Sequence, residues 1–152
     1  MKKPLLTTLS LCLAIVSGFA QENFSIDSLM AKMTLEEKIG QMNQLVNNVF
    51  TGSIANTGIE AKISAGQVGS VFNARGETAA EMQKIAVEQT RLGIPLVFGR
   101  DVIHGYETCF PTPLAMASSW NLEAITEACQ IAGQEASRDG ISWTFSPMCD
   151  IA

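Results

Sequence analysis

The chain has 152 residues, 47% of them hydrophobic and 16% charged, which is the composition of a globular domain with one modest core. Its formal net charge is −5, and the 10 lysines and arginines are scattered rather than clustered. That balance gives no electrostatic footprint for nucleic acid and fits a neutral or cationic small substrate better than a polyanion.

Residues 1–20 read as a bacterial-type secretory signal peptide, with Lys2 and Lys3 as its positive start, Leu5 to Val16 as its apolar core and Gly18-Phe19-Ala20 as its cleavage site. This predicts a periplasmic or secreted protein whose mature part is residues 21–152. The apolar core is too short for a comfortable membrane span and no later stretch replaces it, so stable membrane insertion is not expected. Cys12 follows the bulky Leu11 in mid-core and makes a poor lipidation site. Cys109, Cys129 and Cys149 then remain, an odd number at wide spacing that fits neither a disulfide framework nor a C-x-x-C metal site. Buried free thiols are the favoured reading and one disulfide is the alternative. His104 is the only histidine, which excludes a His-rich metal site, and the reading calls for no cofactor.

In chain order, Ile26, Leu29, Met30 and Met33 recur at helical spacing and predict a short amphipathic helix over residues 23–33, with Ser25 near its start. Thr34 to Glu37 reads T-L-E-E, a capping box that starts a second helix, whose apolar face continues through Ile39, Met42, Leu45 and Val46. The methionines are read as core filling. Residues 47–57 are a polar loop, Ile59 to Ile63 one helical turn, and Val68 to Phe72 a short strand in which Gly69 signals a close backbone approach or a bend. Glu77 to Leu92 carries Ala79, Met82, Ile85, Ala86 and Leu92 on one face, with Gly93 as the expected C′ residue.

Ile94 to Phe98 is the second predicted strand, with Pro95 at its entrance, and it runs straight into Arg100 and Asp101. The carboxyl ends of such strands are where α/β folds keep their ligand chemistry. After the breaks at Pro111 and Pro113, Asn121 caps a helix over residues 122–139 that is expected to bury Ile125, Cys129, Ala132 and Ala136. Gly140 ends it, and Ile141 to Met148 forms a third strand closing on Asp150. Alternation of this kind requires a parallel sheet with right-handed crossovers. No G-x-G-x-x-G turn follows the first strand, which leaves a dinucleotide fold weakly supported.

From the residues alone, Asp101 stands between a ligand-binding carboxylate and an ion pair with Arg100 or a strand-end cap. Arg100, on the opposite side of the strand, reads as a supporting or surface residue. His104 reads as a general base or a structural hydrogen-bonding residue, Trp120 and Trp143 as buried rather than stacked on a ligand, Glu107 as loop-exposed, and Asp150 as a structural or site-neighbouring acid.

Four segments, MTLEEKIGQM (33–42), VGSVFN (68–73), TRLGIPLVFGRDVIHGYETCFPTPLAMASSWN (90–121) and DGISWTFSPMCDIA (139–152), together resemble the start of glycoside hydrolase family 3, notably its periplasmic β-glucosidases. The resemblance implies an α/β fold, the first three β/α units of a (β/α)8 TIM-type barrel left incomplete, since such barrels run to about 250 residues. It also implies that the sequence is an N-terminal fragment. In the family the acid at the position of Asp101 binds hydroxyls of the non-reducing-end sugar, and the position of His104 is not used for proton transfer, which implies a structural hydrogen-bonding role for His104. The nucleophilic Asp of the family comes from a later barrel strand, the acid/base Glu from the following domain, and a Lys-His sugar-binding pair from mid-barrel. None of these regions is here, and no Lys-His dipeptide occurs.

The implied function is therefore part of a secreted retaining β-glucosidase, acting on a β-glucoside or oligosaccharide, with no catalytic residue in this stretch. Its partners would be the remaining barrel and second domain of the parent chain. A non-catalytic secreted sugar-binding module is the alternative, and a barrel acting on a phosphorylated ligand a weaker one.

Overall fold

Helix α1 (Ile26–Lys32) forms where the periodicity places it. The Ser25 carbonyl accepts from the Leu29 amide and its hydroxyl from the Ser28 amide, so Ser25 closes the first turn. The computed structural model describes residues 25–47 and 58–148. The expected signal peptide, Cys149 and Asp150 lie outside the described residues. Among the described residues, no helix is long and apolar enough to cross a membrane.

From Met33 onward the chain forms a second unit. Its first helix, α2 (Leu35–Gln41), starts at the expected capping box: the Thr34 hydroxyl accepts from the Glu37 amide at 3.2 Å and the Glu37 carboxylate accepts from the Thr34 amide at 2.9 Å. Glu37 also takes the Arg91 guanidinium, at 3.0 Å from Nε.

The sequence expectation fails immediately after this helix. The apolar face was expected to run on to Val46, but α2 stops at Gln41 and residues 44–46 form a strand, β1 (Gln44–Val46). Asn43 accounts for the stop. Its side-chain amide donates to the Gln67 carbonyl at 2.9 Å while its own carbonyl accepts from the Gly69 and Ser70 amides, giving the backbone partners that continued helix cannot match.

Helix α3 (Ile59–Ser64), strand β2 (Ser70–Phe72), helix α4 (Gly76–Gln89), strand β3 (Val97–Arg100), helix α5 (Pro113–Ser118), helix α6 (Leu122–Arg138) and strand β4 (Trp143–Thr144) follow. Among the described residues the sheet thus has four parallel strands in the order β1-β2-β3-β4, one more than expected. Strand β3 starts later than read because Pro95 has no N–H to give and the Leu96 amide is taken by the Gln83 side chain at 2.8 Å. The ladder begins only at the Val97 amide, on the Gly69 carbonyl. Residues 113–118, for which no element was predicted after the breaks at Pro111 and Pro113, are helical from a proline in the first turn, where its missing N–H is not required.

Gly93 does not cap α4. The helix ends at Thr90, whose hydroxyl donates to the Ala86 carbonyl and accepts from the Gly93 amide.

The register divides the sheet into two different faces. Leu45, Val71 and Phe98 are cross-strand partners, and this row packs into the core with Ile59 and Ile63 of α3, Ala79, Met82 and Ala86 of α4, and Ala132 and Ala136 of α6. Val71, at 0% exposure, marks its centre. The next row, Val46, Phe72, Gly99 and Trp143, faces away from the helices. Trp143 there is 45% exposed, with Val46 and Val97 also exposed, so among the described residues the sheet is covered on one face only.

Helix α6 buries Ala128, Ala132 and Ala136, an exact four-residue repeat, rather than the expected Cys129. Cys129 falls one position off that stripe and is exposed, as is Cys109, and both are free thiols, so the expectation of burial is corrected for these two. The methionines divide as well: Met33 and Met82 are core residues, whereas Met42 is exposed because the helix it was assigned to has already ended.

Candidate functional site

The ladder bonds run one residue past the strand ends. The Asn47 amide donates to the Phe72 carbonyl at 2.8 Å, Asn73 to Gly99 at 2.9 Å, and Phe145 to Arg100 at 3.3 Å. These bonds set Asn47, Asn73 and Phe145 along one rim, the carboxyl edge of the sheet, where Asp101 also stands directly after β3. Asn73 turns away at once, with φ 65°, a left-handed conformation in which asparagine is enriched.

Asp101 follows directly on β3 and is exposed. Among the described residues its carboxylate has neither an ion pair nor a hydrogen-bond donor, and Arg100 is not its partner. The Arg100 guanidinium lies instead over the Tyr106 ring, 5.4 Å from its centroid, a cation–π contact that matches its expected supporting position. The rim therefore presents an uncommitted anion beside a cation that is already occupied.

The loop carrying Asp101 is closed on itself and then fastened to α6. Within it, the Phe110 amide donates to the His104 carbonyl at 2.8 Å, the His104 ring Nδ1 meets the Phe110 carbonyl at 3.1 Å, and Gly105 bridges to Cys109. His104 thus has the structural hydrogen bond expected of it. Gly105 has φ +108°, and a side chain there would collide with the Thr108 carbonyl, so only glycine closes this turn.

The fastening comes from two acids one helical turn apart. Glu135 accepts from the Glu107 amide at 2.9 Å, the Thr108 amide at 2.9 Å and the Thr108 hydroxyl at 2.6 Å. Asp139 accepts from the Tyr106 hydroxyl and lies 3.8 Å from the Arg75 guanidinium. The Thr108 hydroxyl, and after it the Thr108 amide, hold the Glu135 carboxyl below the usual glutamate range. Burial, reinforced by the bond to Asp139, pushes the Tyr106 phenol up, which keeps it a donor.

The aromatics form a separate group on the open sheet face. Phe145 meets Phe72 edge-on with centroids 5.5 Å apart and Trp143 at 4.6 Å in a tilted pair. Gly99 lets the Phe145 ring lie against the strand, since a Cβ there would be 3.1 Å from the ring. Both tryptophans depart from the expected burial. Trp143 is on the open face and Trp120, with φ 54° between α5 and α6, is 92% exposed. An apolar cleft of about 540 Å³ between α5, α6 and β4 includes His104 and Trp143 but not Asp101.

The sequence singled out Asp101 and missed the acids that hold its loop. Glu135 and Asp139 sit on a helix whose apolar stripe was the visible signal, and nothing in a four-residue spacing on the polar face says which loop will lie over it. Asn73 was legible as the end of its strand. Asn47 was not, because its strand was read as helix.

Four parallel strands, helices on one face and an unpaired acid at the carboxyl rim make this an α/β domain of the kind that carries ligands on that rim. The chain belongs to glycosyl hydrolase family 3: residues 34–152 match the N-terminal domain of that family.

Among relatives, the periplasmic β-glucosidase of Salmonella typhimurium is 38% identical over 134 residues, 88% of this chain and 17% of that protein. The lysosomal β-glucosidase of Dictyostelium discoideum is 30% identical, over 87% of this chain and 19% of that protein. Of solved structures, the β-glucosidase of Listeria innocua in complex with glucose superposes with a TM-score of 0.69 at 36% identity, covering 83% of this chain and 19% of that one. The chain spans less than a fifth of the length of these relatives.

Proposed function

We propose that this chain is the N-terminal part of a secreted or periplasmic retaining β-glucosidase that releases terminal β-D-glucosyl residues. Its four strands would be the first wall of a (β/α)8 barrel, and Asp101 would be a sugar-binding carboxylate. Residues 1–20 would be the signal peptide and residues 21–152 the start of the barrel domain. The family membership and the β-glucosidase relatives support the reaction class. The periplasmic relative supports the location. The one-sided sheet supports a barrel wall, since a doubly wound sheet is covered by helices on both faces.

The observation that carries the site is the exposed carboxylate of Asp101 at the end of β3, unpartnered among the described residues. An ionised carboxylate offers two oxygens and accepts from two neighbouring hydroxyls at once, and such charge-assisted bonds are about twice as strong as neutral ones. Held away from the reacting bond, they fix the sugar ring so that its anomeric carbon meets carboxyls supplied by the rest of the enzyme. Retaining hydrolysis needs two such groups about 5 to 5.5 Å apart. On the family pattern neither lies in residues 1–152. Binding energy gained at a remote hydroxyl is then expressed in kcat/KM.

The test is hydrolysis of an aryl β-glucoside by the full-length enzyme and by its Asp101→Ala variant. Losing one or two charged bonds should lower kcat/KM about 10²- to 10³-fold, with the fold intact by circular dichroism. The 152-residue chain alone should show no turnover. A full-length variant within twofold of wild type, or turnover by the isolated chain that Asp101→Ala abolishes, would sink the proposal.

A further inference from the structure

We propose that Glu135 is the positioning residue of the sugar subsite, holding the loop of residues 101–112 so that the Asp101 carboxylate stays at the rim. The proposal rests on the reading of Asp101 given above and extends it to a residue 34 positions away in sequence that does not contact the ligand.

Three observations carry it. First, Glu135 spends both carboxylate oxygens on this one loop, with Oε2 taking the Glu107 and Thr108 amides and Oε1 the Thr108 hydroxyl. Two consecutive backbone donors aimed at one oxygen fix the position and direction of the peptide as well as its distance. Secondly, the loop is a stiff piece. His104 and Phe110 close residues 104–110 at their neck and Gly105 permits the turn, so a restraint at residues 107–108 orients this segment as one piece, three residues from Asp101. Thirdly, a second fastening lies one turn along the same helix face, where Asp139 takes the Tyr106 hydroxyl while Arg100, the neighbour of Asp101, lies over the Tyr106 ring. Glu135 of α6 and Asp139, its C-cap, therefore hold the loop at residues 106–108, and Arg100 lies over Tyr106. Glu135 is the cleaner probe, because Asp139 also lies against Arg75 and its carbonyl accepts from the Gly76 amide.

The experiment uses the full-length enzyme with Glu135→Ala, Glu135→Gln and Thr108→Ala, each alone and with Asp101→Ala, and reads kcat and KM on an aryl β-glucoside together with Tm. Glu135→Ala should lower kcat/KM roughly 10- to 100-fold. Glu135→Gln and Thr108→Ala, which keep most of the loop's partners, should cost less, and they carry the test if the alanine variant does not fold. In the Asp101→Ala background the added cost of any of the three should fall to within about twofold, because their route to the substrate runs through Asp101.

Equal cost with and without Asp101 would overturn the positioning role, as would unchanged kcat/KM in all three single variants. A silent Asp101→Ala is a separate result: it removes the subsite reading itself, whatever the Glu135 variants do.

Discussion

At the scale of single residues, the site turns on which carboxylates already have partners. Glu37 and Glu135 are committed, the first to Arg91 and the Thr34 amide, the second to Thr108 and Glu107, and each is held below the ordinary glutamate range by those partners in that order. Asp101 is exposed and has no such partner among the described residues. The lowered groups set an acid dependence. A carboxyl whose folded-state pKa is depressed contributes stability that is complete above its unfolded pKa, about 4.3 for glutamate, and is lost as pH falls through the folded value. The melting temperature of wild type should therefore exceed that of Glu135→Gln at neutral pH, by a small margin for so exposed a group, and the gap should close below about pH 4. A gap that stays constant into strong acid would mean that the carboxylate form of Glu135 is not what holds the loop.

At the scale of elements, the capped helices were legible because their signals are local. Thr34 with Glu37, and Asn121 with the Ala124 amide at 3.1 Å, sit where the sequence puts them. Asn121→Ala should cost about 1 kcal/mol in chemical denaturation. The misread elements had signals that are not local. Residues 44–46 form a strand because Gly69 and Ser70 reach Asn43 from 26 and 27 positions away. The start of β3 is moved by a glutamine on α4, and the exposed Cys129 differs from the buried Ala128 by one step of helical phase.

Of the two readings of Gly69, a close approach or a bend, the structure shows the close approach. A side chain there would collide with the Gln41 carbonyl at the end of α2. Gly69→Ala should destabilise the protein by about 1–3 kcal/mol, a loss that a denaturation midpoint will register and that an unchanged midpoint would contradict. Of the site, the strand-end acid was visible in the sequence. The grip of α6 on its loop was not, because it depends on how two segments some 30 residues apart come to lie together.

At the scale of the whole molecule, the sheet has one finished face and one open one. Val46, Val97, Trp143 and Phe145 lie exposed on the open side, and Trp143–Thr144 is an edge strand with only β3 beside it among the described residues. Exposed apolar patches and free strand edges drive association. If the remaining units of the parent barrel normally cover this face, the 152-residue chain on its own should bind a hydrophobic dye and sediment as more than a monomer, and Phe145→Asp with Val97→Lys should reduce both. A monodisperse, dye-silent monomer would contradict the barrel-wall assignment while leaving Asp101 untouched.

Asp101 as a carboxylate bonded to sugar hydroxyls is tested most directly by a thermodynamic cycle in the full-length enzyme. Wild type and Asp101→Ala are compared on an aryl β-glucoside and on its singly deoxygenated analogues, reading kcat/KM. The substitution should cost about 10²-fold or more on the parent glucoside and much less on one or two of the deoxy analogues, those lacking the hydroxyls that Asp101 accepts from. The same cost on every analogue, or no cost on any, would contradict it.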